Sequence, residues 1–425
     1  MGAVSHRVDV VPIGFLIPEF PQQTHIAWWR VAREMRKLGH RIQVLSTRPT
    51  APGKRVHKSL DEELPDVIFA WPPRLRHVVG EVVRNPGGVW RGARYLASLS
   101  RSSVGQKVRL LPVLIAAVNL SSILRKKGIQ RVFVHSCATA AHLVAMCNRI
   151  MGLRYALRLG GDPDVYGTDH FHKMEMADFV LSASPTYYDE LVEKHGVDRS
   201  KLFWSWVGTD LESYPVAADW PDNHRAGPLR IVTVARLHPA KGHQFSLEAV
   251  GALVSEGVEV TYTIVGTGPH QAAIEEYVSR HGLGRHVRLI GARDTAEIAA
   301  LLQSTDIFIL PSIGKGEAAP AVICEAMACG VPVIATRIGA TDHMVRDGID
   351  GFLVPQRDSV AILDHLRELA GDPARLAQMK RAARTSARKF DVRLTAERIL
   401  ALLGLGVDPA GDAHIGGGQD ETPHI

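Results

Sequence analysis

Short apolar runs alternate with segments whose apolar residues recur every three or four positions, and the alternation fills most of the chain. A short apolar run reads as a buried strand, the longer period as an amphipathic helix. In the first half, strands are expected over Val8–Ile17, Arg41–Thr47, Asp66–Trp71, Arg131–Ser136, Arg154–Gly161, Asp178–Ser184 and Lys201–Gly208. Helices are expected between them over Thr24–Leu38, Leu110–Lys126, Ala138–Met151, Lys173–Ala177 and Pro185–His195. Gly39, Gly128, Gly152 and Gly196 close four of these, as glycines that end helices do. The stretch Pro72–Ser103 is rich in Arg, Gly and Pro and has no clear period.

Tyr214–Pro228 is polar, carries Pro and Gly, and reads as a linker. The pattern then restarts, with strands over Leu229–Arg236, Val258–Gly266, His286–Gly291, Ile307–Ser312 and Pro332–Thr336. Helices are expected over His243–Glu256, Gln271–His281, Thr295–Ser304, from near Pro320, and over Val360–Leu369, followed by the segment Pro373–Phe390 and a last helix Asp391–Leu403. Strand–helix alternation in both halves predicts an α/β protein with two doubly wound parallel sheets. The expected domains are 1–213 and 226–390, then a helix over 391–405 and a Gly-rich, polar, disordered tail over 406–425.

A chain of 425 residues fits this division, and 46% apolar with 22% charged residues is ordinary for a globular protein. The net charge of +6 and pI near 9.2 are only mildly basic, and no nucleic-acid partner is expected. The charge is uneven: from Trp71 to Arg131 there are twelve Lys or Arg against one acid, Glu81. A segment such as Arg74–Lys127 suits either an anionic membrane surface or plain solvent. Cys137, Cys147, Cys324 and Cys329 form no ligand-spaced cluster, so packed, reduced thiols are expected and metal is not. The N-terminal stretch lacks the pattern of a signal peptide. The longest apolar run, near Leu110–Val118, is about half of what spans a bilayer. A cytoplasmic protein, at most peripheral at the membrane's inner face, is expected.

The chemistry concentrates in Gly316–Pro332, GEAAPAVICEAMACGVP, where Glu317 and Glu325 stand eight residues apart. One lies in the loop after a strand and the other about two turns on, inside a helix. Ligands of open α/β sheets bind at strand carboxyl ends, and helix amino ends favour phosphate. Carboxylates only accept hydrogen bonds, so two of them there suit hydroxyls beside the phosphate. Arg236 and Lys241 follow the strand Leu229–Arg236, placing two cations five residues apart in a loop. Arg can clamp a phosphate with two donors, and Lys acts as a point charge. Gly266-Thr267-Gly268 lacks a third glycine at dinucleotide spacing, so it is either a structural turn or a ligand loop. Gly339 is likewise either a turn glycine or a phosphate-side backbone donor.

Together, VARLHPAKGHQFSLEAV, TIVGTGP and LPSIGKGEAAPAVICEAMACGVPVIATRIGATDHMVRDGIDGFLVPQRD resemble the retaining GT-B glycosyltransferases of family 4. The resemblance covers nearly all of the C-terminal half in order and spacing, including the family's pattern of two glutamates eight apart. The first half is similar to the exopolysaccharide-type branch in FPQQTHI, GHRIQVLSTRP and MADFVLSASPTYYDELVEKHGVDRSKLFWSWVGTDL. What the resemblance implies is a GT-B fold, two Rossmann-like domains facing across a cleft with the C-terminal helix crossing back. It also implies a sugar moved from a UDP- or GDP-sugar to a hydroxyl of a glycan or lipid-linked acceptor, with no metal required. Arg236 and Lys241 would neutralise the diphosphate, with backbone at Gly339, Gly266 and Ala318, Ala319, Pro320, Ala321 and Val322. Glu325 would accept from the ribose, Glu317 would hold the transferred sugar, and the base would be read near Ile290–Arg293.

The chain departs from that branch in one place. A histidine usually follows the strand matched by YALRLGG, and here Gly160-Gly161-Asp162 stand there. His135 matches a family histidine one strand earlier, but its expected companion is Cys137. His135 is thus a candidate catalytic group or a structural residue, and Thr24, Asp162 and Asp164 are candidate acceptor contacts. Trp28 and Trp29 are expected in the core rather than as a sugar platform. A nucleotide-sugar 2-epimerase and a non-catalytic nucleotide-binding protein of the same layout are the alternative functions.

Overall fold

In the computed structural model, residues 12–21, 26–50, 66–218, 227–314 and 317–406 are described. The start of the first expected strand (8–11), Thr24 and the expected tail beyond 406 lie outside them.

The first sheet holds β1 (Ile13–Phe20), β2 (Ile42–Pro49), β3 (Ile68–Phe69), β4 (Arg131–Val134), β5 (Arg154–Leu159), β6 (Val180–Ser182) and β7 (Leu202–Trp204). Their order is β3-β2-β1-β4-β5-β6-β7, all parallel. The second holds β8 (Leu229–Val234), β9 (Val260–Val265), β10 (Val287–Leu289), β11 (Ile307–Leu310), β12 (Val333–Thr336) and β13 (Gly351–Val354), in the parallel order β10-β9-β8-β11-β12-β13. Helices cover both faces of each sheet, which is why the strands are short, continuous apolar runs rather than alternating ones. In each sheet one strand is flanked by neighbours whose crossovers run in opposite directions, between β1 and β4 and between β8 and β11. Such switch points open a crevice at the strand carboxyl ends.

The chain passes between the sheets twice, and the two passages run together. Thr209 N–H donates to Phe390 O at 2.7 Å, and Val392 N–H donates to Thr209 O at 2.9 Å. The last helix, Val392–Leu402, then packs on the first, Ile26–Lys37, burying Ala396, Ile399 and Leu400 with Trp28 and Val31. Trp28 is 3% exposed and Trp29 8%, so both are core residues, as expected. All four cysteines are free and buried.

Three segments differ from expectation. Pro72–Ser103 is not irregular: it holds the helices Leu75–Arg84 and Pro86–Ser98. Their period is hard to read because the buried positions mix His77, Glu81, Gly88 and Gly92 with only two large side chains, Tyr95 and Leu96. β13 had no counterpart in the reading of the sequence, since GFLV is only four residues long and set between turns. The apolar run near Leu110 extends further than expected. Val104–Lys126 is a 23-residue stretch, helical over 104–109 and 111–126, that could cross a membrane by length and composition. Its second half, Ala116–Leu124, is buried in the protein core.

Candidate functional site

The β8/β11 switch point gathers the cations and carboxylates of the second half. Beyond β8, a 3-10 turn over Pro239–Lys241 carries Lys241 towards the loop that follows β11. Gly242 permits this approach. Its φ is +64°, and a Cβ there would overlap the carbonyl oxygen of Pro311. Lys241 Nζ pairs with Glu317 Oε2, which also accepts from Ser312 Oγ at 3.0 Å. Gly339, at φ +61°, lies against the carbonyls of Glu317 and Ala318, and Ala340 N–H donates to Ala318 O at 2.6 Å. The loop after β12 is thereby laced to the loop after β11. Pro320 caps the helix Ala321–Ala328, whose first-turn amides have no partner within the helix. Arg236 stands exposed beside this group, its guanidinium without a partner among the described residues.

Ile290 is half-buried at the end of β10, where its N–H donates to Ile264 O at 3.1 Å. Arg293 lies just beyond, 3.7 Å from Glu297. The Gly266 N–H donates to Gly291 O at 2.9 Å, and a Cβ there would overlap Ala235 O. That glycine lets two strand-end loops touch.

Glu325 rides the helix Ala321–Ala328 into the boundary between the sheets. Arg30, 6% exposed on the first helix, brings Nη1 to 3.9 Å from Glu325 Oε1 and donates from Nη2 to Thr295 Oγ1 at 2.8 Å. Its guanidinium lies 5.7 Å from the centre of the Tyr214 ring. Burial raises the Glu325 carboxyl above its ordinary value, and Arg30 and Tyr214 offset part of that rise. Sequence reasoning missed Arg30 and Tyr214, which are remote in the chain from Glu325 and belong to no local motif.

On the opposite side, His135 follows β4, and its ring stacks on Trp28 at 4.6 Å. Arg158, fully buried in β5, lies 4.7 Å from the same Trp28 ring. His135 therefore joins an aromatic–cationic stack. At the position where the resemblance expects a histidine, the Tyr166 hydroxyl occupies the space that a Cβ of Gly160 would take. Asp162 is buried and caps the next turn, accepting from Asp164 N–H at 3.0 Å. Asp164 is exposed, and its carboxylate clusters with Glu190 and His195 with ligand atoms within 4.8 Å of one another. Tyr187, also missed, is half-buried after β6. Burial pushes its hydroxyl up to about 12, and the charges of Asp162 and of Glu317 add to the rise.

A cavity of about 440 Å³ opens at the β1/β4 switch point. Glu19 and Arg48, paired at 3.1 Å, with Thr47, Ser136 and Thr139, supply polar lining, and Pro18, Trp71, Pro112 and Val113 an apolar wall. The structure thus brings Lys241, Glu317, Gly339 and the helix from Ala321 into one cluster, with Arg236 beside it. Glu325 sits against Arg30, and His135 and Asp162 belong to the first half.

Residues 218–386 match the family described as glycosyl transferases group 1. A putative colanic acid biosynthesis glycosyltransferase of Escherichia coli is 30% identical over 224 residues, 52% of this chain and 54% of that protein. The amylovoran biosynthesis glycosyltransferase of Erwinia amylovora is 34% identical over 161 residues, 37% of this chain and 40% of its own length. A phosphatidyl-myo-inositol mannosyltransferase of Mycobacterium leprae is 32% identical over 190 residues, 45% and 49%. The chain therefore matches about half the length of these curated relatives or less. Among solved structures, Anabaena HepE in complex with UDP superposes with a TM-score of 0.70 at 16% identity, covering 92% of this chain and 99% of that one. A glycosyltransferase from Rickettsia africae gives 0.68 at 18% identity, over 93% and 98%. At such identities the likeness carries the fold, and the fold is the expected GT-B arrangement.

Proposed function

We propose, from the match of residues 218–386 to the family described as glycosyl transferases group 1, that this chain moves a sugar from a nucleotide-diphosphate sugar to a hydroxyl acceptor, with the anomeric configuration retained. The observation that carries this reading is the Lys241–Glu317 pair at the β8/β11 switch point, beside exposed Arg236 and the amino end of the helix Ala321–Ala328. Glycosyl transfer needs a stabilised diphosphate leaving group next to a centre of oxocarbenium character. Charge organised in advance is the main source of rate in such a site.

Lys241 and Glu317 pair and neutralise each other. A bound donor places its diphosphate against Lys241, Arg236 and the helix amides, and its sugar hydroxyls against the Glu317 carboxylate. Glu325 accepts from the ribose hydroxyls. The bond from the anomeric carbon to the diphosphate oxygen breaks as the acceptor oxygen bonds the same face of that carbon. The acceptor's hydroxyl proton passes to the departing diphosphate, so no protein nucleophile is required. Two side-chain cations and a helix amino end supply the positive charge that a divalent metal would otherwise bring. His135 and Asp162 belong on this reading to the acceptor side of the cleft.

The donor is a UDP- or GDP-sugar; HepE, of the same fold, was solved with UDP. Relatives named for colanic acid, amylovoran and phosphatidylinositol glycan synthesis support a cell-surface polysaccharide or glycolipid product. The acceptor on this reading is a glycan or a lipid-linked anion, met at the cytoplasmic face of a membrane. Thermal shift against UDP, GDP and their sugars tests the donor site. At a hundred times the Kd, a ligand stabilises by about 2.7 kcal/mol. One nucleotide class should raise the Tm, and Lys241→Ala should abolish the rise. No shift with any nucleotide overturns the reading.

A further inference from the structure

The helix Leu75–Arg84 is inside out. Its buried residues are His77 and Glu81, whereas Leu75 and Val83 are each 77% exposed and Val79 is 52% exposed. A surface helix of a globular protein turns its apolar stripe inward and its charges out. Here Leu75, Val79 and Val83 follow one another at four-residue spacing along the open face. The same thing recurs nearby: Val104, Val108, Leu111 and Ile115 are all exposed, at spacings of four, three and four. Trp90, 67% exposed, stands on the intervening helix. Ten of the sixteen exposed large apolar side chains among the described residues fall between Trp71 and Ile115. The helices concerned pack on one another and on Leu111–Lys126.

The charges around these stripes are of one sign. Arg74, Arg76, Arg84, Arg94 and Arg109 are exposed among them. The single acid of the segment, Glu81, is 1% exposed and paired with Arg125 at 2.8 Å, so it adds no negative charge to the surface. We propose that the helices Leu75–Arg84 and Pro86–Ser98 with the segment Val104–Ile115 form a docking face for an anionic lipid bilayer. Apolar side chains enter the acyl boundary while the arginines meet lipid phosphates, the arrangement by which interfacial helices hold to membranes. A second copy of the chain is a poor occupant, because it would set two cationic surfaces against each other. The half-buried helix pair Val104–Lys126 is not a membrane span, because its second half is core; its exposed first half is the part that meets lipid.

The face borders the cavity at the β1/β4 switch point. Trp71, 41% exposed just before the first helix of the face, lines the cavity, and so do Pro112 and Val113, which lie between exposed Leu111 and Ile115. On the glycosyl-transfer reading, and resting on it, the cavity takes an amphiphilic acceptor from the bilayer, apolar chain against Trp71 and polar head towards Ser136 and the Glu19–Arg48 pair.

Sedimentation of the full chain with vesicles tests the docking face. Phosphatidylcholine vesicles rich in phosphatidylglycerol should carry it down, and pure phosphatidylcholine vesicles should do so far less. The triple variant Leu75→Ser, Val79→Ser, Val83→Ser should keep its Tm, since these side chains are solvent-exposed, and lose about tenfold in partitioning. Arg76→Gln, Arg84→Gln, Arg94→Gln together should lower partitioning to the anionic vesicles by roughly fivefold per charge and remove the preference for them. Absence of binding to anionic vesicles at low salt overturns the proposal, and so does a serine variant that sediments like the wild type. Binding is read without nucleotide. Vesicle binding without nucleotide binding would sink the glycosyl-transfer reading alone, and the reverse would sink the docking face alone.

Discussion

Arg30 Nη1 lies 3.9 Å from Glu325 Oε1, joining the first helix of the chain to the helix that follows β11. The same guanidinium holds Thr295 at 2.8 Å. One side chain of the first half thus grips two elements of the second, at the carboxylate proposed to receive the ribose. Nucleotide binding and the seating of the two halves therefore draw on the same residue.

Glu325 should set an acid limb on nucleotide binding. Its carboxyl is raised by burial, so protonation begins above the ordinary glutamate range, and the acceptor for the ribose hydroxyls is lost as pH falls through that raised value. Glu325→Gln should remove this limb and weaken binding by about tenfold, the loss of one charge-assisted hydrogen bond. Arg30→Ala removes the cation that offsets the burial and should move the limb to higher pH. Calorimetric titration with the nucleotide across pH checks both.

Lys241 and Glu317 should behave as a unit. Lys241→Ala removes a charge aimed at the leaving group and should lower kcat by about 10² to 10³, with Glu317→Gln of similar size. Because the two side chains pair in the free site, the double variant should fall well short of the product of the singles. Steady-state kinetics on the three variants checks this; multiplicative effects would mean that the two groups act apart.

Gly242→Ala should disturb the donor site without touching its chemistry. Left-handed backbone costs an L-residue about 1–2 kcal/mol, and overlap with Pro311 O brings the total to about 2–4 kcal/mol. The Tm should drop, and nucleotide affinity should fall with it, since the loop carrying Lys241 must move. An unchanged Tm would show that the loop yields freely.

Acid should destabilise the first half through His142. Its ring is buried, sits 2.8 Å from the Tyr95 hydroxyl and is pushed down to about 3, chiefly by burial and then by Lys173, with Asp169 acting in the opposite sense. The folded state binds this proton less readily than the unfolded chain. Stability is therefore intact above about pH 6.5 and falls as the pH drops towards 3, by on the order of 4 kcal/mol. His170, held down to about 4, adds to the same slope. Denaturant titrations between pH 7 and 4 should show His142→Gln losing less stability over that range than the wild type.

Local order along the chain was enough to recover most of this protein. Strands such as Ile307–Leu310 and helices such as His243–Ser255 are continuous or periodic apolar segments, so burial on parallel sheets could be read from spacing alone. That Lys241, Glu317 and Gly339 lie together, the cluster proposed to bind the donor, was legible for the same reason: each follows a strand end, and parallel sheets bring strand ends together. What local order could not supply was any contact whose partners lie far apart in the chain. Arg30 faces Glu325 only because the two sheets, remote in sequence, meet along one boundary. In the helix Leu75–Arg84 the apolar residues Leu75, Val79 and Val83 face outward, while His77 and Glu81 are buried. Periodicity reports that a stripe exists, and only the packing of Glu81 against Arg125 decides which side of the helix is inside.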